Sequence, residues 1–324
     1  MSRLGNTRQG LVNRAVGLDL RGTMNGMQES LHRVEDNAIR TEERIARLEA
    51  MHEEDRARQL DMARQLGFIE RRLTVELERL RMQRDDIPGL RGRLREARLR
   101  PEYLAAFEER EPLISVRIPA YRKTEELIDS AIASVLAQTY QRFEIIVVND
   151  GPNEKTARAI EAIGDDRIHY EEFAAQSVYP ADRHSRWMVA GSPGMNRAVE
   201  LATGTWIAPL DDDDAFSPDH LEKLLALALE QRVELAYGAL RSLNAVTGEE
   251  RRIWSYPPAI SQFSFMGAIY LRQLDFFRYD ESSWLVDEPG DWNLIRRMSE
   301  AGVTMAATED LVGTINLVPY THKD

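Results

Sequence analysis

A single apolar phase of period 3.5 runs from Leu31 to Leu90, more than eight heptads, and a chain that keeps such a seam has few options besides a paired helix. With Leu31 as position a, the a positions are Leu31, Ala38, Ile45, His52, Gln59, Leu66, Leu73, Leu80 and Ile87. The d positions are Val34, Thr41, Leu48, Asp55, Met62, Ile69, Glu76, Gln83 and Leu90. Polar breaks gather at His52, Asp55 and Gln59. A sustained seven-residue repeat implies a left-handed supercoil. The alternative is one solvated helix laced with i,i+4 pairs such as Glu43 with Arg47. A lone helix gains nothing from keeping one face apolar, so residues 25–87 are expected to form a coiled coil that makes the protein a homo-oligomer. Mixed Leu, Ile and Ala at a leave its order open. Residues 1–24, with scattered Gly and Asn, are expected to be a disordered tail. Pro88-Gly89 should stop the helix, since Pro88 lacks a donor and disfavours helical geometry at Ile87. Residues 88–112, with a helical piece from Arg91 to Leu99, then Pro101 and the acidic run Glu108 to Glu111, read as a helical linker.

Charge separates the two halves. Residues 1–112 carry 22 arginines against 21 acids, with no lysine, while residues 113–324 carry 20 basic against 33 acidic residues. A body with a net charge of −13, the difference of those last two counts, is a poor nonspecific binder of nucleic acid. No apolar run approaches the ~20 residues of a membrane helix, and MSRLGNTRQG lacks the apolar core of a signal peptide. The chain has no cysteine, which excludes a disulfide framework and thiolate chemistry. A cytoplasmic protein, at most peripheral at the inner face of the membrane, is the expectation.

After Pro112 strands and helices alternate. LISVRIPAY reads as a strand, Lys123 to Gln138 as an amphipathic helix, and FEIIVVND as a second strand, apolar throughout as a doubly covered parallel strand should be. Glu154 to Ile163 reads as a helix, RIHYEEF as a strand, Gly194 to Ala202 as a helix, and WIAPL as a fourth strand. Ser217-Pro218-Asp219 should then cap a helix reaching about Glu230, before the strand VELAYGALRS. Such alternation argues for a doubly wound α/β sheet.

The fourth strand ends on four consecutive aspartates, Asp211 to Asp214. So dense a block of charge is costly unless a cation or a run of donors neutralises it. In an open α/β fold the carboxyl ends of the strands are where ligands bind. Hard oxygen ligands suit Mg²⁺ or Mn²⁺, ions that commonly stay bound to substrate phosphates. A solvated acidic loop or helix cap is the bland alternative.

Three blocks, in this order, carry a resemblance: PLISVRIPAYRKTEELIDSAIASVLAQTYQRFEIIVVNDG, GMNRAVELATGTWIAPLDDDDAFSPDHLEKLL and DEPGDWNLIRRMSEAG. Residues 113–316 resemble a family 2 glycosyltransferase domain of the GT-A fold, a mixed, mostly parallel Rossmann-like sheet flanked by helices, and the domain is expected to take in residues 113–324. The coiled coil lies outside the resemblance. What the resemblance implies is a metal-dependent inverting transfer of a sugar from a nucleoside-diphosphate sugar to a hydroxyl acceptor, a glycan or lipid-linked sugar. Pro119, Tyr121, Asp150, Asn196, Asp211 and Asp212 would hold the nucleotide, with Tyr121 stacking on the base and Asp150 accepting from it. Asp213 and Asp211 would hold Mn²⁺ or Mg²⁺, with His322 in the tail as a third ligand. Asp291 would be the base, with Glu288 and Asp287 as alternatives, and inversion follows because one base suffices for direct displacement.

Three departures stand out. Gly290-Asp291 replaces two adjacent acids, Met195 replaces an arginine before Asn196, and residues 174–191, with Tyr179, His184 and Trp187, are longer than a tight connection needs. A noncatalytic coiled-coil scaffold with a degenerate nucleotide-binding domain is the second reading. A sugar nucleotidyltransferase is a third, disfavoured because Ala120-Tyr121-Arg122-Lys123 has no glycine-rich phosphate loop.

Overall fold

The computed structural model describes the backbone of residues 5–244 and 247–317, and side chains from residue 22 to 244 and 247 to 316. The chain divides into two compact units, Met1–Glu76 and Leu77–Asp324.

The first unit is helical throughout its described residues and belongs to helix α1, Gly5–Arg84. Residues 5–24, expected to be a disordered tail, are helical. Straight-chain helix formers outnumber the scattered glycines there, each of which costs about 1 kcal/mol relative to alanine. Along the expected seam the side chains are exposed in the single chain: Leu31, Val34, Ile45, Leu48, Leu66 and Leu73 all lie between 50% and 64% exposed.

The second unit begins earlier than the sequence reading placed it. Helix α1 ends at Arg84, just before Pro88-Gly89 as expected, and the same Pro-Gly pair sits in the first turn of α2, Ile87–Arg98. Pro88 falls in the first turn, where its missing N–H has no intrahelical acceptor to lose. Asp86, at φ 40°, is the N-cap, and its carboxylate accepts from Gly89 N at 3.2 Å. The expected linker is part of the body: Leu90, Leu94 and Ala97 of α2 are buried, as is Ala106 just beyond α3, Pro101–Ala105. Arg98 forks onto fully buried Glu234 with two bonds of 2.7 Å, and the Tyr103 hydroxyl adds a third at 2.9 Å.

A nine-stranded sheet runs through the described residues of this unit in the order β3-β2-β1-β4-β8-β6-β9-β5, with β7 on β6. Strands β1, Ile114–Ala120; β2, Phe143–Asn149; β3, Ile168–Glu172; and β4, Trp206–Pro209, are mutually parallel. β8, Ala268–Leu271, runs antiparallel to both β4 and β6, Leu235–Asn244, which is parallel to β9, Met305–Leu317. β2 is buried at every residue, as its apolar run requires. Short β5, Ala215–Phe216, pairs with β9, and β7, Glu250–Ile253, is an exposed hairpin arm on β6.

Helices cover both faces. α4, residues 124–136, contains a π-helical turn at Leu127–Ile132. α5 is Glu154–Ile163, α6 Arg183–Val189, α7 Ser192–Leu201, α8 His220–Gln231 and α9 Gly290–Ala301. α8 starts at His220, with Asp219 in the cap position; its side chain makes no capping bond, so the expected Ser217 cap with proline at the first helical position shifts by two residues.

Candidate active site

The registers of β1 with β2 and β4 bring three strand ends to one edge. Ala120 pairs with Asn149 and Arg117 with Pro209, so Tyr121, Asp150 and the aspartate run all leave the sheet together. This is the carboxyl edge where α/β folds bind ligands.

The four aspartates point to four different partners. Asp212 accepts from the Tyr121 N–H at 3.0 Å, and Asp213 from Lys123 Nζ at 2.5 Å. Asp214, buried, accepts from Asn316 N of β9 at 2.9 Å, while Asn316 Nδ2 donates to the Asp213 carbonyl at 2.8 Å. Ser130, inside the π-turn of α4, donates to the Asp214 carbonyl at 3.1 Å. Asp211 Oδ1 lies 3.8 Å from Arg117 Nη1. Desolvation in the cleft pushes Asp211 up to about 6, with Arg117 opposing and Asp291 and Asp213 adding to the rise. Desolvation likewise pushes Asp212 up to about 7 and Asp214 up to about 9, the latter reinforced by Asp211 and Asp213. Burial works against the Lys123 charge, but its bond to Asp213 more than compensates and holds it above its ordinary value.

Carboxylates crowded enough to retain protons are short of positive charge, and all their donor atoms are hard oxygens, which fits Mg²⁺ or Mn²⁺. Among the described residues no trio of acids or histidines is arranged as a cage. Asp212 and Asp214 are spent on backbone N–H groups, which leaves Asp211 and Asp213. Two carboxylates with substrate phosphates and water are the usual complement of Mg²⁺. His322 lies outside the described residues.

On the nucleotide side, Tyr121 is half-buried, with the Arg122 guanidinium 4.8 Å over its ring. Asp150 is buried, and the long 174–191 segment lies on it: Ser177 N donates to Oδ1 at 2.8 Å and the Tyr179 hydroxyl to Oδ2 at 2.7 Å. Pro119 packs near Gly191 and Gly194 at the start of α7. Asn196 is elsewhere engaged, contrary to its expected nucleotide contact. Its amide clamps the Tyr279 backbone, accepting from N at 2.9 Å and donating to O at 3.1 Å, and it is buried. Arg197, after the absent arginine, pairs with Glu171 and Glu200.

On the acceptor side, Asp291 sits in the first turn of α9, where the helix dipole favours a carboxylate. It does not cap its own helix. Oδ2 accepts from Ser264 Oγ at 2.8 Å and Phe265 N at 3.0 Å, and Oδ1 from the Tyr279 hydroxyl at 2.9 Å. The Tyr279 hydroxyl in turn accepts from Arg117 Nη2 at 2.9 Å. Burial, with Asp291 next, holds the phenol well above its ordinary range, so it stays a donor. Glu288 is buried and consumed by structure: Arg296 grips it with two bonds of 2.8 Å, Asn293 with another, and Arg81 lies at 3.1 Å. Asp287 is exposed, 3.7 Å from His184. A Cβ on Gly290 would come within 3.1 Å of the Tyr279 ring and 3.2 Å of the Met188 carbonyl, which accounts for glycine where a second acid was expected.

Arg117 and Tyr279 escaped the sequence reading. The signal for Arg117 was a lone cation in the apolar centre of ISVRIPA; Tyr279 sits in a loop with no periodic pattern.

With this geometry in hand, comparison with known proteins gives a consistent answer. The family described as Glycosyl transferase family 2 matches residues 115–297, more than half of the chain. An Escherichia coli protein, UDP-Glc:alpha-D-GlcNAc-diphosphoundecaprenol beta-1,3-glucosyltransferase WfgD, is 30% identical over 135 residues, covering 41% of this chain and 47% of the relative. The chain thus spans about half the length of such curated relatives. Among solved structures, S. aureus TarS in complex with UDP-GlcNAc aligns with a TM-score of 0.50 at 15% identity, over 64% of this chain and 60% of that one. At that identity the likeness speaks for the fold alone.

Proposed function

This chain belongs to glycosyl transferase family 2, and from that premise we propose that it transfers a sugar from a nucleoside-diphosphate sugar to a hydroxyl of a glycan or lipid-linked sugar, inverting the anomeric centre. The observation that carries the reading is the bond from the Tyr121 N–H to Asp212, which sets the acidic run beside the place for a base. The Tyr121 ring stacks on the base and Asp150 accepts from it, once the Ser177 and Tyr179 donors make room. Asp211 and Asp213 hold Mn²⁺ or Mg²⁺ together with the diphosphate; when bound, the cation offsets the charge of the departing nucleotide. Lys123 is a second cation at the same carboxylate.

Asp291 takes the proton of the acceptor hydroxyl. Its two oxygens are aimed by Tyr279, Ser264 and the Phe265 N–H, so its orientation is set before an acceptor arrives. A single base acting on the acceptor hydroxyl fits one displacement. The WfgD name, with its lipid diphosphate-linked sugar acceptor, supports that acceptor class for this chain. Helix α1, with its exposed seam, assembles copies of the enzyme.

The test is hydrolysis of a panel of UDP-, dTDP- and GDP-sugars by the purified protein with Mn²⁺. Asp213→Ala should abolish the cation-dependent rate, and Asp291→Asn should lower turnover by roughly 10²–10⁴-fold. Equal rates in wild type and Asp213→Ala would remove the metal assignment. A product released with retained configuration, read by proton NMR at early times, would remove the single displacement.

A further inference from the structure

Helix α1 carries a charge pattern that its apolar seam does not explain. Resting on its reading as an oligomerisation helix, we propose that it pairs with further copies of itself in parallel and in register. Position e, beside the seam, holds Glu35, Glu42, Glu49 and Glu70 along with Arg56 and Arg84, whereas position g on the other flank holds Arg44, Arg58, Arg72 and Arg79. Parallel helices set g of one chain against e of the next, five residues on. That places Arg44 against Glu49, with Asn37 against Glu42, Gln65 against Glu70 and Met51 against Arg56; the like-charge contact it creates, Arg79 against Arg84, falls at the very end of α1. Antiparallel helices set e against e and g against g, so the glutamates that dominate e and the arginines that dominate g largely face their own kind, with Arg56 and Arg84 the opposite charges at e. The polar layers at His52, Asp55 and Gln59 fix the register, because a slip of one heptad puts His52 against Ile45.

The chain lacks cysteine, so single cysteines report the pairing directly. Under mild oxidation, Val34→Cys alone and Leu73→Cys alone should each give a covalent dimer of the full chain. Antiparallel pairing would leave both uncrosslinked alone, and a mixture of Val34→Cys with Leu80→Cys would crosslink instead; that result overturns the orientation and leaves the oligomer standing. A monomeric mass for the full chain by light scattering overturns both.

Inside the cleft, Arg117 is 1% exposed, and its Nε and Nη1 have no hydrogen-bond partner. A buried donor without a partner is costly, so a cation kept in the central strand needs a reason. Its Nη2 holds Tyr279, which holds Asp291, while Nη1 faces Asp211. We infer that Arg117 is a positioning residue shared by the donor and acceptor halves of the cleft: it orients Asp291 through Tyr279 and keeps a free donor toward Asp211. The inference rests on Asp291 acting as base. In the same hydrolysis assay, Arg117→Met and Tyr279→Phe should each lower kcat at least tenfold while the KM for the nucleotide sugar stays within threefold. Arg117→Lys should recover part of kcat. The double variant should be no slower than the worse single one, since both break one chain of contacts. Additive losses, an effect on KM alone, or unchanged kcat would overturn the positioning role. Full activity in Asp291→Asn would instead withdraw the base assignment itself.

Discussion

His220 is fully buried, stacked on Phe216 with ring centroids 3.7 Å apart, and its Nδ1 donates to the Val312 carbonyl at 2.8 Å. Burial lowers its pKa to about 4. Between pH 6.5 and 4 the unfolded chain therefore takes up a proton that the folded protein refuses. Stability from this residue is complete above pH 6.5 and is lost as pH falls, at about 1.4 kcal/mol per pH unit. His220→Asn keeps a donor for Val312 but cannot titrate. Urea unfolding should show wild type losing about 2 kcal/mol more than the variant between pH 7 and pH 5; parallel losses would exonerate the histidine. Residues at strand ends were the legible ones, because an apolar run followed by an acid announces its place. Asp150 and Asp211 to Asp214 were singled out that way, whereas Asp291, in the first turn of a helix, was singled out only through the resemblance. Asn196 was misassigned because a sequence does not show that an amide is already spent on the Tyr279 backbone. Arg117 was passed over because one charge within an alternating strand resembles a solvent-facing residue.

At the level of elements, the boundary between helix and body moved most. The long helix stops ahead of Pro88 as expected, but the proline also opens α2, which buries Leu90, Leu94 and Ala97. Leu94, 1% exposed, should cost about 2–5 kcal/mol when truncated to alanine. Chemical denaturation of residues 77–324 would measure that loss, and a change below ~0.5 kcal/mol would mean α2 is only appended. A fragment beginning at residue 113 would lack this helix altogether and leave buried Glu234 without Arg98. Strands β1 to β4 and their helices were readable from alternation. β8 and β9 were not: AIYL is short, and β9 mixes Thr, Glu and Asp with apolar residues and exposes Leu311 beside Glu309 and Asp310, so no alternation marks it.

For the whole chain, the two units ask for different measurements. If α1 assembles the protein, light scattering should give a multiple of the chain mass for residues 1–324 and a single mass for residues 77–324. Equal single masses would leave the seam without a partner. The helix of the first unit was legible because its period needs no tertiary context, while its pairing with another copy is left to that measurement. The sheet order was legible only in part, since the sequence marks strands but not the reversal at β8, which depends on contacts far apart along the chain.

The loops that follow β1 and β4 are sewn together twice, by Tyr121 to Asp212 and by Lys123 to Asp213. On the proposed reading, the place for a base and the place for its phosphates would then share one frame, with a fixed span between them. On that reading such a frame would work as a gauge: a ligand one phosphate short would satisfy one end and fall away from the other.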